Sequence, residues 1–175
     1  MRFAVIGIGN VLTGDDGLGP TVVRVLDAAY DLGPDVEVID AGTPGLDLTA
    51  YMAEVEALVL VDAVKAAGAP GELRTYGKDE LMKKSPVLAM SPHEPGVREA
   101  LLNADFIGVA PRVVRLVGVI PATVEVGCAL SPAVEAAVPG AVAQVIAELK
   151  AVGVVARERK PPRAPDLWWT RKPVA

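Results

Sequence analysis

Two carboxylates and one imidazole follow separate apolar segments of this chain. Asp16 comes shortly after the opening apolar segment, Asp62 directly follows another, and His93 is the single histidine. Such a set can bind a divalent transition metal and leave coordination positions open to a substrate. Because the multiple cysteines and histidines of a permanently filled zinc site are missing, these residues predict a weak or transient metal site.

Each of these residues also has a purely structural interpretation. Asp15 or Asp16 can cap the helix expected to start near Leu18, and an aspartate after a strand often organises a loop, as Asp62 would. A lone histidine such as His93 is more often structural or solvated than a ligand. Both interpretations hold together if Asp15 organises the loop while Asp16 points into a cleft.

Short apolar strands alternate with helical patterns along most of the chain. The predicted strands are 2–7, 36–39 (closing at Asp40), 57–61 (closing at Asp62), 72–76 at an edge, and 112–118, and the predicted helices are 18–30, 46–52, 94–103 and 131–151. This order predicts an α/β fold, a three-layer α/β/α sandwich with a mostly parallel central sheet of about five strands. Ligands bind beyond the carboxyl ends of such strands, so the three candidate residues are expected at one edge.

The last predicted helix carries clear end signals. Ser131 is its expected N-cap, Pro132 its first residue and Gly153 its C-terminal stop. Pro139 and Gly140 inside it predict a kink.

Composition predicts one domain and a distinct tail. Of 175 residues, 51% are hydrophobic, which allows a substantial core. Residues 1–155 form the expected α/β domain, and 156–175 form a basic, proline-rich tail. We expect the tail to be flexible; the alternative is that Trp168 and Trp169 dock it on a partner or a second subunit.

Charge and cysteine usage restrict the partners and the compartment. The net charge of −5 disfavours nucleic acid as a partner, and we expect no membrane span because no long uncharged apolar run occurs. Cys128 is the single cysteine, which rules out an internal disulfide and fits a cytoplasmic protein. We interpret Cys128 as packing or loop material.

A nucleotide site is the main chemical alternative. Gly7 and Gly9 start a dinucleotide-binding fingerprint, but Leu12 occupies the third glycine position. Asp40 lies at a plausible distance along the chain for a ribose contact. No phosphate loop of the Walker type and no Gly-x-Ser-x-Gly motif is present in the sequence.

Several motifs together resemble the hydrogenase maturation endopeptidases over residues 1 to about 155. They are Gly7-Ile8-Gly9-Asn10-Val11-Leu12, Asp15-Asp16-Gly17-Leu18-Gly19, Asp40-Ala41-Gly42-Thr43-Pro44-Gly45, Val61-Asp62-Ala63, Ser91-Pro92-His93, Gly118-Val119-Ile120-Pro121 and Leu130-Ser131-Pro132-Ala133-Val134. The resemblance implies an α/β/α peptidase that removes a short C-terminal extension from the nickel–iron hydrogenase large-subunit precursor after nickel insertion.

The resemblance also implies that Asp16, Asp62 and His93 are the catalytic and metal-binding residues. Many members of the family have Glu at the position that matches Asp16, so this chain carries the shorter carboxylate side chain there. Nickel is expected to arrive with the substrate, leaving the isolated protein empty or holding another divalent metal. Either the metal acts as a Lewis acid, or Asp16 or Asp15 acts as a base in an aspartic-type mechanism. The remaining functional alternatives are a nucleotide-binding oxidoreductase and a non-catalytic chaperone that checks nickel loading.

Overall fold

The protein is described by a computed structural model, which covers residues 2–83, 89–90 and 94–171. Its α-helices are α1 (Leu18–Ala29), α2 (Lys78–Met82), α3 (Glu94–Phe106) and α4 (Pro132–Ala151). Its strands are β1 (Arg2–Ile8), β2 (Tyr30–Asp31), β3 (Val36–Gly42), β4 (Val55–Lys65), β5 (Leu73–Gly77), β6 (Ala89–Met90), β7 (Val113–Val119) and β8 (Arg157–Glu158). Short 3-10 helices occupy Gly14–Gly17, Gly45–Met52 and Trp168–Thr170.

The central sheet has the strand order β3-β1-β4-β7-β5. β3, β1, β4 and β7 are mutually parallel, and β5 lies antiparallel at the edge beside β7. The two-residue β6 pairs antiparallel with the end of β4. The predicted α/β fold with a mostly parallel sheet of about five strands is confirmed, and so is the edge position of β5.

Helices cover both faces of the sheet because successive strand side chains point to opposite faces. One apolar cluster joins the sheet to α1 and α4, with Val5, Val59, Val117, Leu26 and Leu149 among its members. The other joins it to α3 and to the 3-10 helix Gly45–Met52, with Ile6, Leu58, Leu60, Leu48 and Leu101 among its members. Fully burying one such side chain contributes about 1.5–3 kcal/mol. The two clusters therefore fix the strand register that positions the loops.

Two strands continue at least two residues past their predicted ends. β4 continues past Val61 because its last residues pair with β7 and with β6, partners that are remote in sequence. The prediction that this strand closes at Asp62 is wrong, since Asp62 lies inside it. β3 likewise continues through Asp40 to Gly42, whereas the prediction closed it at Asp40.

The ends of α4 agree with the sequence signals. The Ser131 side chain accepts a hydrogen bond from the backbone N–H of Val134, and Pro132 is the first residue of the helix. The helix continues through Pro139, so the kink stays a prediction. By length and hydropathy alone α4 could cross a membrane, but one side of it packs in the apolar core against the sheet.

Residues 157–163 pack against the C-terminal end of α1. β8 pairs antiparallel with β2, which directly follows α1. The backbone N–H groups of Arg159 and Arg163 donate to the carbonyls of Ala29 (2.8 Å) and Ala28 (2.9 Å). These carbonyls belong to the last turn of α1, where intrahelical partners are lacking. The flexibility of residues 156–175 stays a prediction.

Candidate active site

The loop between β1 and α1 carries Asp16 to the carboxyl edge of the sheet. The loop tightens into the 3-10 turn Gly14–Gly17, and Asp16 is 4% exposed. Its Oδ2 atom accepts hydrogen bonds from the backbone N–H of Asn10 (2.8 Å) and from the hydroxyl of Thr13 (3.3 Å). These local donors fix the orientation of the carboxylate.

Asp15 connects this loop to the segment between β7 and α4. Its Oδ1 accepts from the backbone N–H of Ser131 (2.6 Å), and its Oδ2 accepts from the Ser131 hydroxyl (2.9 Å). The same Oδ2 accepts from the backbone N–H groups of Ala122 (2.8 Å) and Thr123 (3.0 Å). Asp15 is fully buried, at 0% exposure. With four donors on its carboxylate, Asp15 holds the two loops in a fixed relative position.

Backbone hydrogen bonds join the same two loops. Gly14 N–H donates to the carbonyl of Gly127 (2.7 Å), and Gly127 N–H donates to the carbonyl of Leu12 (2.9 Å). Asp15 N–H donates to the carbonyl of Thr123 (3.1 Å). The turn that carries Asp16 is therefore supported by its own chain segment and by the loop after β7.

Asp62 lies inside β4 with a fully buried side chain. By strand alternation it shares a face with Leu60 and Val64, which belong to the cluster beneath α3. The preceding residue of β4 pairs with Gly7 of β1, one position before β1 ends. The turn Gly14–Gly17 contacts β4. The structure therefore brings the elements that carry Asp16 and Asp62 together at one edge of the sheet.

Glycines allow α1 to begin in direct contact with the sheet backbone. A Cβ on Gly19 would lie 2.1 Å from the carbonyl oxygen of Ile8 and 2.5 Å from that of Val61. A Cβ on Gly7 would lie 2.4 Å from the Gly19 oxygen. Close packing thus explains Gly7 and Gly19 without a nucleotide. The turn before α1 also holds two aspartates, whose charge would repel a pyrophosphate at the helix N-terminus.

An open cleft of about 270 Å³ lies between the loops that follow β1 and β3. It is lined by Gly9, Asn10, Val11, Asp40, Gly42, Thr43 and Trp168. Asp40 forms an ion pair with Arg24 of α1, with Nη2 at 3.1 Å and Nε at 3.3 Å from Oδ2. This pairing gives Asp40 a structural role and disfavours the predicted ribose contact.

His93 lies outside the described residues, so its distance to Asp16 and Asp62 is not defined. The described elements on either side of it are β6, which pairs with Val64 and Lys65 of β4, and α3. Within the described ranges, no group of three His, Cys, Asp or Glu side chains could hold a metal. The predicted set needs His93, and the metal site therefore stays a prediction.

Cys128 is exposed and is not among the residues that line the cleft. It lines a separate cavity of about 150 Å³ together with Thr21, Leu130 and Trp169. Its position agrees with the interpretation of Cys128 as loop material.

Sequence reasoning missed the residues that support the carboxylates. Asn10 and Thr13 orient Asp16 through local hydrogen bonds, and a turn analysis of this polar loop could have suggested them. Ser131 was expected only as a helix cap. Its hydrogen bonds to Asp15 join residues 116 positions apart, for which the local sequence carries no signal.

Known proteins share both the sequence and the fold of this chain. A family described as hydrogenase maturation protease matches residues 20–148. The hydrogenase 2 maturation protease of Escherichia coli K12 is 37% identical over 161 residues, which cover 91% of this chain and 98% of that protein.

Solved structures agree with the sequence comparisons. The hydrogenase maturating endopeptidase HybD from Escherichia coli matches with a TM-score of 0.83 at 36% identity, covering 92% of this chain and 99% of that one. The [NiFe] hydrogenase maturation protease HybD from Thermococcus kodakarensis matches with a TM-score of 0.69 at 25% identity, covering 85% and 99%. The predicted resemblance is confirmed: the chain belongs to the hydrogenase maturation protease family and is a hydrolase of the endopeptidase type.

Proposed function

We propose that this chain removes a C-terminal extension from the large-subunit precursor of a nickel–iron hydrogenase after nickel insertion. The observation that carries the proposal is the burial of Asp16 and Asp62 at the carboxyl edge of one sheet, where Asn10, whose backbone N–H donates to Asp16, lines an open cleft. Membership of the maturation protease family supplies the reaction type and the class of substrate. The similarity to the [NiFe] hydrogenase maturation protease of Thermococcus kodakarensis supports the nickel–iron class of hydrogenase.

Asp16, Asp62 and His93 are the proposed catalytic residues and the proposed contacts to nickel. Two carboxylates and an imidazole suit a divalent transition metal while leaving coordination positions to the substrate. Nickel then belongs to the substrate, and the isolated enzyme is expected to be empty or to hold another divalent metal. Contact with nickel would make cleavage conditional on a loaded precursor.

Asp16 is the proposed general base, in an aspartic-type reaction. It takes a proton from the attacking water as oxygen bonds to the scissile carbonyl carbon, and the leaving amine receives that proton when the C–N bond breaks. The neighbouring Asp15 is unsuited to this role because four donors engage its carboxylate. In the metal-assisted alternative, the substrate's nickel polarises the scissile carbonyl as a Lewis acid, and the same residues position it.

The test is a processing assay on the cognate precursor in nickel-loaded and nickel-free form, read by intact mass. We expect the loaded form alone to lose a C-terminal peptide. Asp16→Asn, Asp62→Asn and His93→Ala should each abolish processing in a folded sample. Asp35→Asn is the matched control, because Asp35 is exposed before the opposite end of β3.

Two outcomes would overturn the proposal. Wild-type processing rates in folded Asp16→Asn or His93→Ala would remove these residues from the chemistry. Stable binding of a confirmed, loaded precursor without any shortening would favour the chaperone that only checks nickel loading.

The proposed setting of the reaction is the cytoplasm, where a single unpaired cysteine is compatible with reducing conditions. The acidic net charge of −5 supports a protein substrate over a nucleic acid.

A further inference from the structure

The tail of the chain reaches the active-site edge by running along α1. It is attached at the C-terminal end of α1 by β8 and by the backbone donors of Arg159 and Arg163. The Arg159 Nε atom also donates to the carbonyl of Asp27 (3.2 Å), so a cation lies at the negative end of the helix. From there the tail reaches Thr21, in the first turns of α1, where Trp169 lies.

Trp169 anchors the end of the tail. It is 9% exposed and lines the cavity that Thr21, Cys128, Leu130 and Glu135 also border. The surrounding 3-10 helix is closed by Thr170, whose backbone N–H and hydroxyl both donate to the carbonyl of Leu167 (3.0 and 2.9 Å). The buried indole and the closed turn place the preceding residue, Trp168, beside the cleft.

Trp168 lines the open cleft between the loops that follow β1 and β3. Its ring meets that of Trp169 edge-on, with centroids 5.7 Å apart and planes at 88°. It remains 54% exposed and lines the cleft together with the loops that contain Asn10 and Thr43. An exposed tryptophan that packs against a buried aromatic ring is typical of the residues that dominate protein recognition.

The surroundings of the cleft fit an apolar peptide segment. Leu12 and Leu46, which follow the cleft residues Val11 and Thr43 by one and three positions in sequence, are 52% and 58% exposed. The nearby charge of Asp40 is compensated by Arg24. An extended segment that carries an apolar side chain would therefore find an aromatic face and little uncompensated charge.

We propose that Trp168 is a substrate-recognition residue, which contacts an apolar side chain of the precursor's peptide segment as that segment enters the cleft. This inference rests on the proposed function, because the precursor is its partner. The tail is then a functional part of the enzyme and determines which precursors it accepts.

Steady-state processing of the loaded precursor tests the contact. We expect Trp168→Ala to lower kcat/KM about ten- to thirtyfold through KM, with kcat within about twofold, because binding is lost and the chemistry is not. Trp168→Phe should recover most of this loss by retaining an aromatic face. Phe106→Ala, at an 89% exposed position at the end of α3, is the matched control and should process at the wild-type rate.

Fluorine NMR of enzyme labelled with 5-fluorotryptophan tests the same contact without turnover. Trp168 and Trp169 are the only tryptophans in the chain, so two resonances report on the tail. The resonance that Trp168→Phe removes should shift when unlabelled precursor is added to the Asp16→Asn variant.

The outcomes separate this inference from the proposed function. Wild-type kcat/KM in Trp168→Ala, or a faster reaction, would overturn the recognition role while leaving the peptidase intact. If the precursor binds but is not cut, the function fails and the Trp168 resonance still decides the contact. If the precursor does not bind at all, both proposals fail.

Discussion

Replacing Asp15 by asparagine tests whether this residue organises the site. The substitution keeps the shape of the side chain but leaves one accepting oxygen where the carboxylate had two. In the more favourable of the two amide orientations, that oxygen still accepts hydrogen bonds from the N–H groups of Ala122 and Thr123 and from the Ser131 hydroxyl. The new amino group then faces the Ser131 N–H, which donates to Asp15 at 2.6 Å in the wild type.

The expected loss of stability follows from these contacts. One hydrogen bond to a charged acceptor contributes about 1.5–3 kcal/mol, and the three that remain become neutral and weaker. We therefore expect Asp15→Asn to lower the free energy of unfolding by about 3 kcal/mol. For a chain of this length that is a fall in Tm of roughly 6–12 °C.

Urea denaturation and calorimetry measure this loss, and Asp35→Asn serves as the exposed control, expected within about 0.5 kcal/mol of wild type. Processing by folded Asp15→Asn should fall about 100-fold, because the turn that carries Asp16 shifts relative to the substrate. Ser131→Ala should combine with Asp15→Asn non-additively, since the two side chains share one network. A stability within 0.5 kcal/mol of wild type for Asp15→Asn would refute the reasoning.

Two further predictions concern the scaffold. Gly19→Ala should lower the free energy of unfolding by about 2 kcal/mol or more in urea denaturation, because the added Cβ meets backbone oxygens of β1 and β4. Gly127→Ala, which meets nothing within 4 Å, is its control, and equal stability of the two variants would contradict the packing argument. Burial raises the pKa of the Tyr76 phenol above its ordinary value of 10.0. The unfolded state therefore ionises first as the pH rises. The stability that depends on the neutral phenol is fully present below about pH 10 and is lost above it. Tyr76→Phe should reduce this alkaline loss, as measured by unfolding from pH 8 to 11, and an unchanged pH profile would argue against it.

The fold was predictable because its determinants are local patterns. Strands buried on both faces read as continuous apolar runs, and the helices between them carry their own end signals, such as Ser131 before Pro132. Strand length was not predictable in the same way. β4 extends past Asp62 because β7 and β6 supply pairing partners there, and these partners come from remote parts of the sequence.

The candidate site was predictable only in part. Topology placed Asp16 and Asp62 at one edge, since parallel strands end together. The sequence left open which of the adjacent aspartates is structural, because the donors that distinguish them lie in residues 122–131, more than 100 positions away. Composition predicts a flexible tail after residue 155, and that flexibility stays a prediction. The contacts between this tail and α1 include backbone hydrogen bonds, which residue types do not reveal.

Two adjacent aspartates can have different roles only if their side chains have different surroundings. In this fold the 3-10 turn directs the two side chains differently, and the loop after β7 engages Asp15 with four hydrogen bonds. Asp16 accepts hydrogen bonds from Asn10 and Thr13 of its own loop. Because Asp15 and Asp16 share one turn, the position of Asp16 also depends on residues 121–131, although this segment contains none of the proposed catalytic residues. Substitutions in that segment should consequently change kcat more than KM, because they move a reacting group and leave the cleft walls in place.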